Sequence, residues 1–526
     1  MDQNLARLPR VVHGPARSPR DKVRTVDELA RVLELARNMG QVVVQAHGTF
    51  DLLHIGHVRH LQAARELGDV LVVTVTADRY VNKGPGRPVF GEALRAEMLA
   101  TLAYVDWVAI NDSADSVSAI ETLRPDIYVK GQDYVNPEGD VTGKIIYERA
   151  AVEAHGGCIH FTNEETFSST ELINRHFNVY EPHVRDHLTD LRNDSGLLHL
   201  LNLIEKIKDY RVLVVGDAII DEYQYVLPMA KPPKENIIAT RYQDTELFAG
   251  GVFAAANHVA SFCKQVDVVT CLGGAADNYE PLIRRSLLPN VHLHAFKRDS
   301  GPTTVKRRFV DSSYMRKLFE VCVLDDEPLT GSLQQDFDER VSQLAPQADV
   351  VITADFGHGL IGASTVSALV SCAPFLAVNT QTNSANTGFN LITKYPKADY
   401  ICIDASEARL AVSDRVSRID DVARKILHGR VECSRLIVTN GKHGCITYEA
   451  GRPVHTIPAV ARKVVDTVGA GDAFLAVTAP LVAAGGSIDR VGFIGNVVGA
   501  LKVEIVGHRT TIEKSAVIKA ITALLK

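Results

Sequence analysis

Two short stretches of this chain carry side chains at spacings that phosphoryl chemistry uses. The first is Ala46-His47-Gly48-Thr49-Phe50-Asp51-Leu52-Leu53-His54-Ile55-Gly56-His57, where an apolar run gives way to a helical pattern. His54 and His57 flank Gly56 at the start of that helix. A glycine lets a phosphate approach the backbone. Free N–H groups and the positive end of the helix dipole attract the anion. Imidazoles there can donate to charge growing on a phosphoryl group. A helix cap bearing two exposed histidines accounts equally well for a bare His-x-Gly-His. The second stretch is Asp466-Thr467-Val468-Gly469-Ala470-Gly471-Asp472-Ala473-Phe474. Gly469, Ala470 and Gly471 ahead of an apolar helix form a nest of backbone N–H groups for an anion. Asp472 then stands beside that anion, placed to accept the proton of a hydroxyl attacking a γ-phosphate. A glycine-rich turn with Asp in the first helical turn is the plain alternative.

Both stretches need strands to hold them. Val42–Val44 and Val70–Val75 read as buried strands, with Ile55–Leu67 a helix between them. Strand, helix, strand within so short a span is a βαβ unit, so the sheet is expected to be parallel. The alternation continues through Val105–Ile110, Ile127–Val129 and Ile159–Phe161. Ahead of it, 1–40 reads as a basic tail and one helix, with Leu29, Val32, Leu33 and Leu35 as its apolar stripe and Gly40 as its stop. Residues 178–208 are charged (EPHVRDHLTDLRND) and read as a linker plus a helix. From Arg211 a strand, VLVVGDAIIDEY, opens a second α/β pattern that runs to the end. The expected domains are therefore 41–177 and 209–526.

Composition narrows the function. The chain has 526 residues, 46% of them hydrophobic, with 57 Lys+Arg against 63 Asp+Glu and a net charge of −6. Such a balance argues against bulk nucleic-acid binding, which needs a concentrated basic face. The eight cysteines form no Cys-x-x-Cys pair, so neither a zinc knuckle nor a disulfide framework is expected. The N-terminal residues hold no apolar segment resembling a signal peptide, and Ala473–Ile488 contains Pro480 and falls short of a membrane span. A cytoplasmic protein without a membrane partner is expected. There is no complete P-loop and no Gly-x-Gly-x-x-Gly.

Gly48, Phe50, Asp51, His54, Gly56 and His57 match the G-x-F-D-x-x-H-x-G-H signature of the cytidylyltransferase-like nucleotidyltransferases, which residues 42–176 resemble. His47 departs from that family's small or Asn residue. The resemblance implies nucleotide contacts from Gly48, Thr49, Phe50, Asp51, Gly56, Arg95 and Lys130, with Lys83 on phosphate. It also implies a closing motif at Ser168, Ser169 and Thr170 beneath the phosphates. Lys130-Gly131-Gln132-Asp133-Tyr134 is most similar to the heptose-1-phosphate adenylyltransferases. His-Ile-Gly-His also occurs in class I aminoacyl-tRNA synthetases, but no KMSKS-like loop follows it here.

Residues 210–520 resemble the ribokinase/PfkB carbohydrate kinases, and among them the heptose-7-phosphate kinases. The resemblance implies that Asp221, Gly250, Gly251 and Asp355 hold the sugar, with Asp472 as base and Gly469 to Gly471 as anion hole. Thr439, Gly441 and Gly444 would lie against the adenine nucleotide, and Asp404 and Glu407 would organise Mg²⁺ indirectly. Three departures stand out. Asp404 replaces the usual Asn, Asn379-Thr380-Gln381 replaces Asp-Pro-Lys, and Ala254 replaces an Asn. The last two are expected on the sugar side.

Together the resemblances imply an α/β chain with a Rossmann-like nucleotidyltransferase domain followed by a ribokinase-like domain. That is the reverse of the order in the bifunctional enzymes of ADP-heptose synthesis. The expected activities are Mg·ATP-dependent phosphorylation of a sugar or sugar phosphate, and nucleotidyl transfer from an NTP, ATP before CTP, to a sugar 1-phosphate. A homodimer through the kinase domain is expected. The alternatives are a CTP-dependent enzyme making a CDP-alcohol or CDP-sugar, and a kinase half reduced to sugar sensing.

Overall fold

The computed structural model describes residues 18–81, 87–131, 145–162, 180–194, 196–230, 232, 234–274, 277–299, 301–427 and 429–526. Contacts divide the chain into two compact units, the first ending at residue 179 and the second running from Tyr180 to Lys526.

In the first unit the described strands are β1 (Val43–Gly48), β2 (Val70–Thr76), β3 (Trp107–Asn111), β4 (Ile127–Gly131) and β5 (Cys158–Thr162). They pair in parallel in the order β3-β2-β1-β4-β5. Alternate residues of β1 face opposite layers, as period 2 requires. Val43 packs with Leu29, Leu33 and Ala36 of helix Val26–Asn38 on one side. Val44 and Ala46 pack with Leu61 of helix Ile55–Glu66 and Leu99 of helix Glu92–Ala100 on the other. The first helix opens with a reciprocal cap: Thr25 Oγ1 accepts from Glu28 N at 3.2 Å, and Glu28 Oε2 accepts from Thr25 N at 3.0 Å. Its core stripe is 29, 33 and 36. Leu35, expected inside, is 64% exposed, because it lies about 100° round the helix from Ala36.

The second unit has two sheets. The larger contains β6 (Arg211–Gly216), β9 (Gln265–Leu272), β10 (Val291–Lys297), β13 (Val350–Asp355), β14 (Leu376–Thr380), β15 (Tyr400–Asp404), β16 (Arg435–Thr439), β17 (Cys445–Glu449) and β18 (His455–Ile457). Their order is β10-β9-β6-β13-β14-β15-β16-β17-β18, parallel except for the last two pairings. The smaller sheet contains β7 (Ala218–Pro228), β8 (Thr240–Gly251), β11 (Thr304–Asp311) and β12 (Arg316–Val323), ordered β12-β11-β7-β8. The expected single strand from Arg211 is therefore two. Gly216 ends β6 so close to Ala354 O of β13 that a Cβ would overlap it. Asp217 then turns the chain into the other sheet, its Oδ2 accepting from Phe356 N at 2.9 Å.

The expectation of a linker plus one helix at 178–208 is corrected. Helices Pro182–Asn193 and Gly196–Lys206 occupy it. Val184, Leu188, Leu191, Leu200, Leu203, Ile204 and Ile207 lie in the core of the second unit with Phe474 and Val497. The spacing 184, 188, 191 is one helical face, and the charges fill the other. Among the described residues no helix is long and apolar enough to cross a membrane.

Candidate active sites

The first site sits at the carboxyl end of β1, where the strand order reverses between β2 and β4. Crevices at such switch points are where open α/β sheets bind ligands. The chain leaves β1 at Gly48 and takes a left-handed turn at Phe50, φ 48°. The Phe50 ring folds back until a Cβ at Gly48 would stand 3.1 Å from it, a tight contact that the ring would have to yield to by a few tenths of an ångström. Asp51 is fully buried. It pairs with Arg87 Nε and accepts from Val89 N at 2.6 Å. His54 is the N-cap of helix Ile55–Glu66, and Gly56 is buried in its first turn. The His54 and His57 rings stack with centroids 3.8 Å apart and planes at 22°. Phe50 meets His57 edge-on at 5.1 Å. Two imidazoles thus stand together over one helix N-terminus.

Two residues expected at the nucleotide have other partners. Arg95 is fully buried beneath the loop. Its guanidinium donates to Thr49 O at 2.5 Å, Phe90 O at 2.9 Å, Thr76 O at 2.8 Å and Asp78 Oδ1 at 2.5 Å. It fixes the turn rather than facing the crevice. Lys130, near the end of β4, makes a buried ion pair with Glu148 at 2.9 Å. Ser116 Oγ donates to the same carboxylate at 2.5 Å. Glu148 and Ser116 carry no sequence signal. His47, the departure from the family loop, hydrogen-bonds Thr74 Oγ1 at 2.9 Å and Thr76 Oγ1 at 3.3 Å across to β2. Lys83, Ser168, Ser169, Thr170 and Gln132 to Tyr134 lie outside the described residues.

The second site is assembled along the carboxyl ends of β13 to β16. Helix Ala470–Ala483 starts at Gly469, φ 73°, and Asp472 is buried in its first turn. Gln381, just past β14, donates to Asp472 Oδ1 at 2.5 Å. Burial pushes the Asp472 carboxyl up, and the charge of His508 and the Gln381 bond partly oppose this. A base with a raised pKa suits proton removal near neutral pH. Gln381, expected on the sugar side, is thus tied to the Asp472 carboxylate. The next residue, Thr382, donates its N–H to Glu407 Oε1 at 3.1 Å. Glu407 Oε2 accepts from Asp404 N at 2.9 Å, in a reciprocal cap with Asp404, whose Oδ1 takes Ser406 N at 2.9 Å. Burial pushes Glu407 up to about 7. Asp355, at the end of β13, pairs with Lys394 and accepts from Tyr395 Oη at 2.8 Å and Asn390 Nδ2 at 3.1 Å. Thr439 ends β16, followed by a turn in which Gly441 and Gly444 take φ 52° and 85°.

The small sheet supplies the other wall. Register places Asp221, Lys306 and Phe248 on one row and Tyr223 and Arg308 on the next, all on one face. Asp221 pairs with Arg308 and lies 3.2 Å from His508 Nε2. Burial pushes its carboxyl up, but His508 and Arg308 together hold it well below the usual carboxylate range. A Cβ at Gly250 would overlap Asp221 Oδ2, and Gly251 has φ 55°. Ala254 is buried in the helix that follows.

Beneath the Gly469–Gly471 turn lies a residue the sequence did not flag. Lys502 is fully buried, and its Nζ donates to Val468 O at 2.8 Å and Gly507 O at 2.7 Å. Asp466 accepts from Gly507 N at 2.8 Å and from Tyr223 Oη at 2.6 Å. A buried lysine has no local motif, so only the fold reveals it.

Both units are thus α/β domains built on largely parallel sheets, the second with a glycine turn and a buried carboxylate at its strand ends. The pattern of pfkB family carbohydrate kinases matches residues 209–515, more than half the chain. The chain belongs to that family. The cytidylyltransferase-like pattern matches residues 46–175. The bifunctional protein HldE of Syntrophotalea carbinolica is 43% identical over 163 residues, covering 30% of this chain and 32% of that protein. HldE of Geobacter metallireducens is 41% identical over 162 residues, with 30% and 32% covered. The matches thus span about a third of each relative's length. Phosphofructokinase-2 from Escherichia coli shares the fold, with a TM-score of 0.50, 15% identity, and 60% of this chain and 100% of that chain covered.

Proposed function

We propose that the chain is a bifunctional enzyme whose second unit phosphorylates a heptose-like sugar or sugar phosphate and whose first unit joins a nucleotide to a sugar 1-phosphate. The observation that carries the reading is the buried, Gln381-held carboxylate of Asp472 at the edge of the Gly469–Gly471 nest. Asp472 takes the proton of the attacking sugar hydroxyl, and the new bond forms from that oxygen to the γ-phosphorus as the bond to the β-phosphate oxygen breaks. The N–H groups of 469 to 471 face the charge that develops. Asp221, Gly250, Gly251 and Asp355 are the sugar wall, and Thr439 to Gly444 the nucleotide wall. Asp404 and Glu407 fit a magnesium ion held chiefly through substrate phosphates. Asp404 presents an exposed carboxylate, while both Glu407 oxygens already accept backbone N–H groups. A bound Mg²⁺ supplies neutralisation of phosphate charge.

In the first unit, His54 and His57 donate to the α-phosphoryl oxygens of the NTP, ATP in our reading. An oxygen of the sugar 1-phosphate attacks that phosphorus and pyrophosphate leaves. Lys83 and Thr170 are assigned to the phosphates. Asp51 and Arg95 keep the loop in place.

A second copy of the chain is proposed to cover the outer face of the small sheet. Leu247, Phe319, Val321 and Val323 are exposed there, opposite the face bearing Asp221. The exposed apolar row along β12 marks the association site, with Leu247 standing apart from it beyond Arg307 and Glu222. The experiment is a screen of ATP and CTP against sugar 1-phosphates for pyrophosphate release, beside a screen of free sugars and sugar phosphates for ADP release. Absence of ADP release with every acceptor would overturn the kinase assignment. Absence of pyrophosphate release with every pair would overturn the transferase one.

A further inference from the structure

Lys306 of β11 stands apart from the other basic side chains of the second site. Arg307 pairs with Glu222 at 2.8 Å, and Arg308 with Asp221 and with Glu320. Lys317 pairs with Asp466 at 2.6 Å, and Lys394 with Asp355. Lys306 makes no hydrogen bond and no ion pair among the described residues. Three observations place its ammonium in the cleft. Register sets Lys306 beside Asp221 of β7. Ile219 lies on the same face of β7 as Asp221 and packs with Ala354 and Phe356 at the end of β13, so this face looks onto the strand ends. Lys306 Nζ itself stands 5.9 Å from the centre of the Phe356 ring, next to Asp355. That distance is the outer reach of a cation–π contact and leaves the charge uncompensated. The side chain is half-buried. An uncompensated ammonium in such a cleft attracts an anion. Lysine is a compact point charge with three donors, the form in which a phosphate is commonly held.

We propose that Lys306 is a phosphate-binding, specificity-determining residue of the second unit: Nζ donates to a phosphate that the acceptor already carries, and so selects a sugar phosphate over the free sugar. The phosphate is assigned to the acceptor, and not to the group in transfer, because Lys306 stands in the row of Asp221 and makes no ion pair with the base Asp472. The proposal rests on the kinase reading, and deepens it by naming the side chain that separates the two classes of acceptor.

Two substitutions separate charge from bulk. Lys306→Met removes the charge and keeps most of the length, and Lys306→Arg keeps the charge. The full chain is assayed with Mg·ATP on free hexoses and heptoses and on their terminal phosphates, with inorganic phosphate as a competing probe. Wild type is expected to prefer the phosphates. Lys306→Met is expected to raise the KM of the phosphorylated acceptor about 10- to 100-fold, the weight of a hydrogen bond between charged groups, with the KM for ATP unchanged. The preference for the phosphorylated over the free sugar should narrow by the same factor. Lys306→Arg is expected to recover most of the loss. Inorganic phosphate should compete with the acceptor in wild type, and in Lys306→Met only at correspondingly higher concentration. A rise in the KM for ATP in place of that for the acceptor would give Lys306 to the nucleotide and overturn the proposal. Equal losses of kcat on free and phosphorylated acceptors would give it to the transferred group or to the wall itself, and overturn it as well. A wild type that prefers free sugars would do the same. If wild type turns over no acceptor while pyrophosphate release is intact, the kinase reading itself falls, and this proposal with it.

Discussion

The two units build their candidate chemistry in opposite ways. In the first, His54 and His57 stand on one continuous stretch, from Gly48 to His57, and Arg95 braces it from a distance. In the second, the groups converge from β7, β8, the end of β14, helix Ala470–Ala483 and the segment after Ile488–Lys502. A loop site owes its geometry to one helix N-terminus. A convergent site owes it to contacts between separate elements, Asp221 with Arg308 and His508, and Asp472 with Gln381. The first should therefore fail one residue at a time, and the second through residues far from the transferred phosphoryl group.

Four substitutions or conditions sharpen this contrast. The largest effect is expected from Asp472→Asn, which should lower ADP release about 10²–10⁴-fold and leave pyrophosphate release unchanged. Equal ADP release by variant and wild type would remove Asp472 as base. His57→Ala should do the reverse, lowering pyrophosphate release about 10²–10³-fold with sugar phosphorylation intact. Loss of both activities in a folded variant would mean that the sites are coupled. Lys502→Met leaves the Val468 and Gly507 carbonyls without their buried donor. It should cost about 1–3 kcal/mol, read by calorimetry as a fall of a few degrees in the melting of the second unit alone. An unchanged melting profile would show that the ammonium does not hold the turn.

The smallest effect is a pH response of opposite sign in the two units. His60 is pushed down to about 4 by burial and by the nearby Lys130 charge. The unfolded chain therefore binds the proton first on acidification, so the first unit should lose stability as pH falls from about 6.5 to about 4. Glu407 is pushed up to about 7, so the folded state keeps its proton longer. The second unit should lose stability as pH rises from about 4.5 to about 7. His60→Asn and Glu407→Gln should each flatten the matching slope, by on the order of 1–2 kcal/mol across the window. Identical slopes in variants and wild type would exclude these groups as the source.

The same contrast explains what was legible in the sequence. The parallel strands of the first unit showed as apolar runs, and His54, His57 and Asp472 showed because each sits beside glycines in an unbroken motif. Lys130 and Arg95 were seen as residues, but their partners within the chain were not, since nothing local reports Glu148 or the Thr49 carbonyl. His508, Lys502 and the Gln381–Asp472 bond escaped because each depends on segments joined only by folding. Helices Pro182–Asn193 and Gly196–Lys206 were obscured by charge, although their apolar spacing was present.

The central claim is that each unit holds a complete chemistry, and cutting the chain between 179 and 180 tests it most directly. The cut keeps Val184, Leu188 and Leu191 with the core they pack into. Fragments 1–179 and 180–526 are to be expressed separately, followed by circular dichroism, size exclusion and the two assays. The account predicts that both are folded, that 1–179 releases pyrophosphate, and that 180–526 is oligomeric and phosphorylates the acceptor. Two insoluble fragments from a full chain that melts in one cooperative step would contradict it.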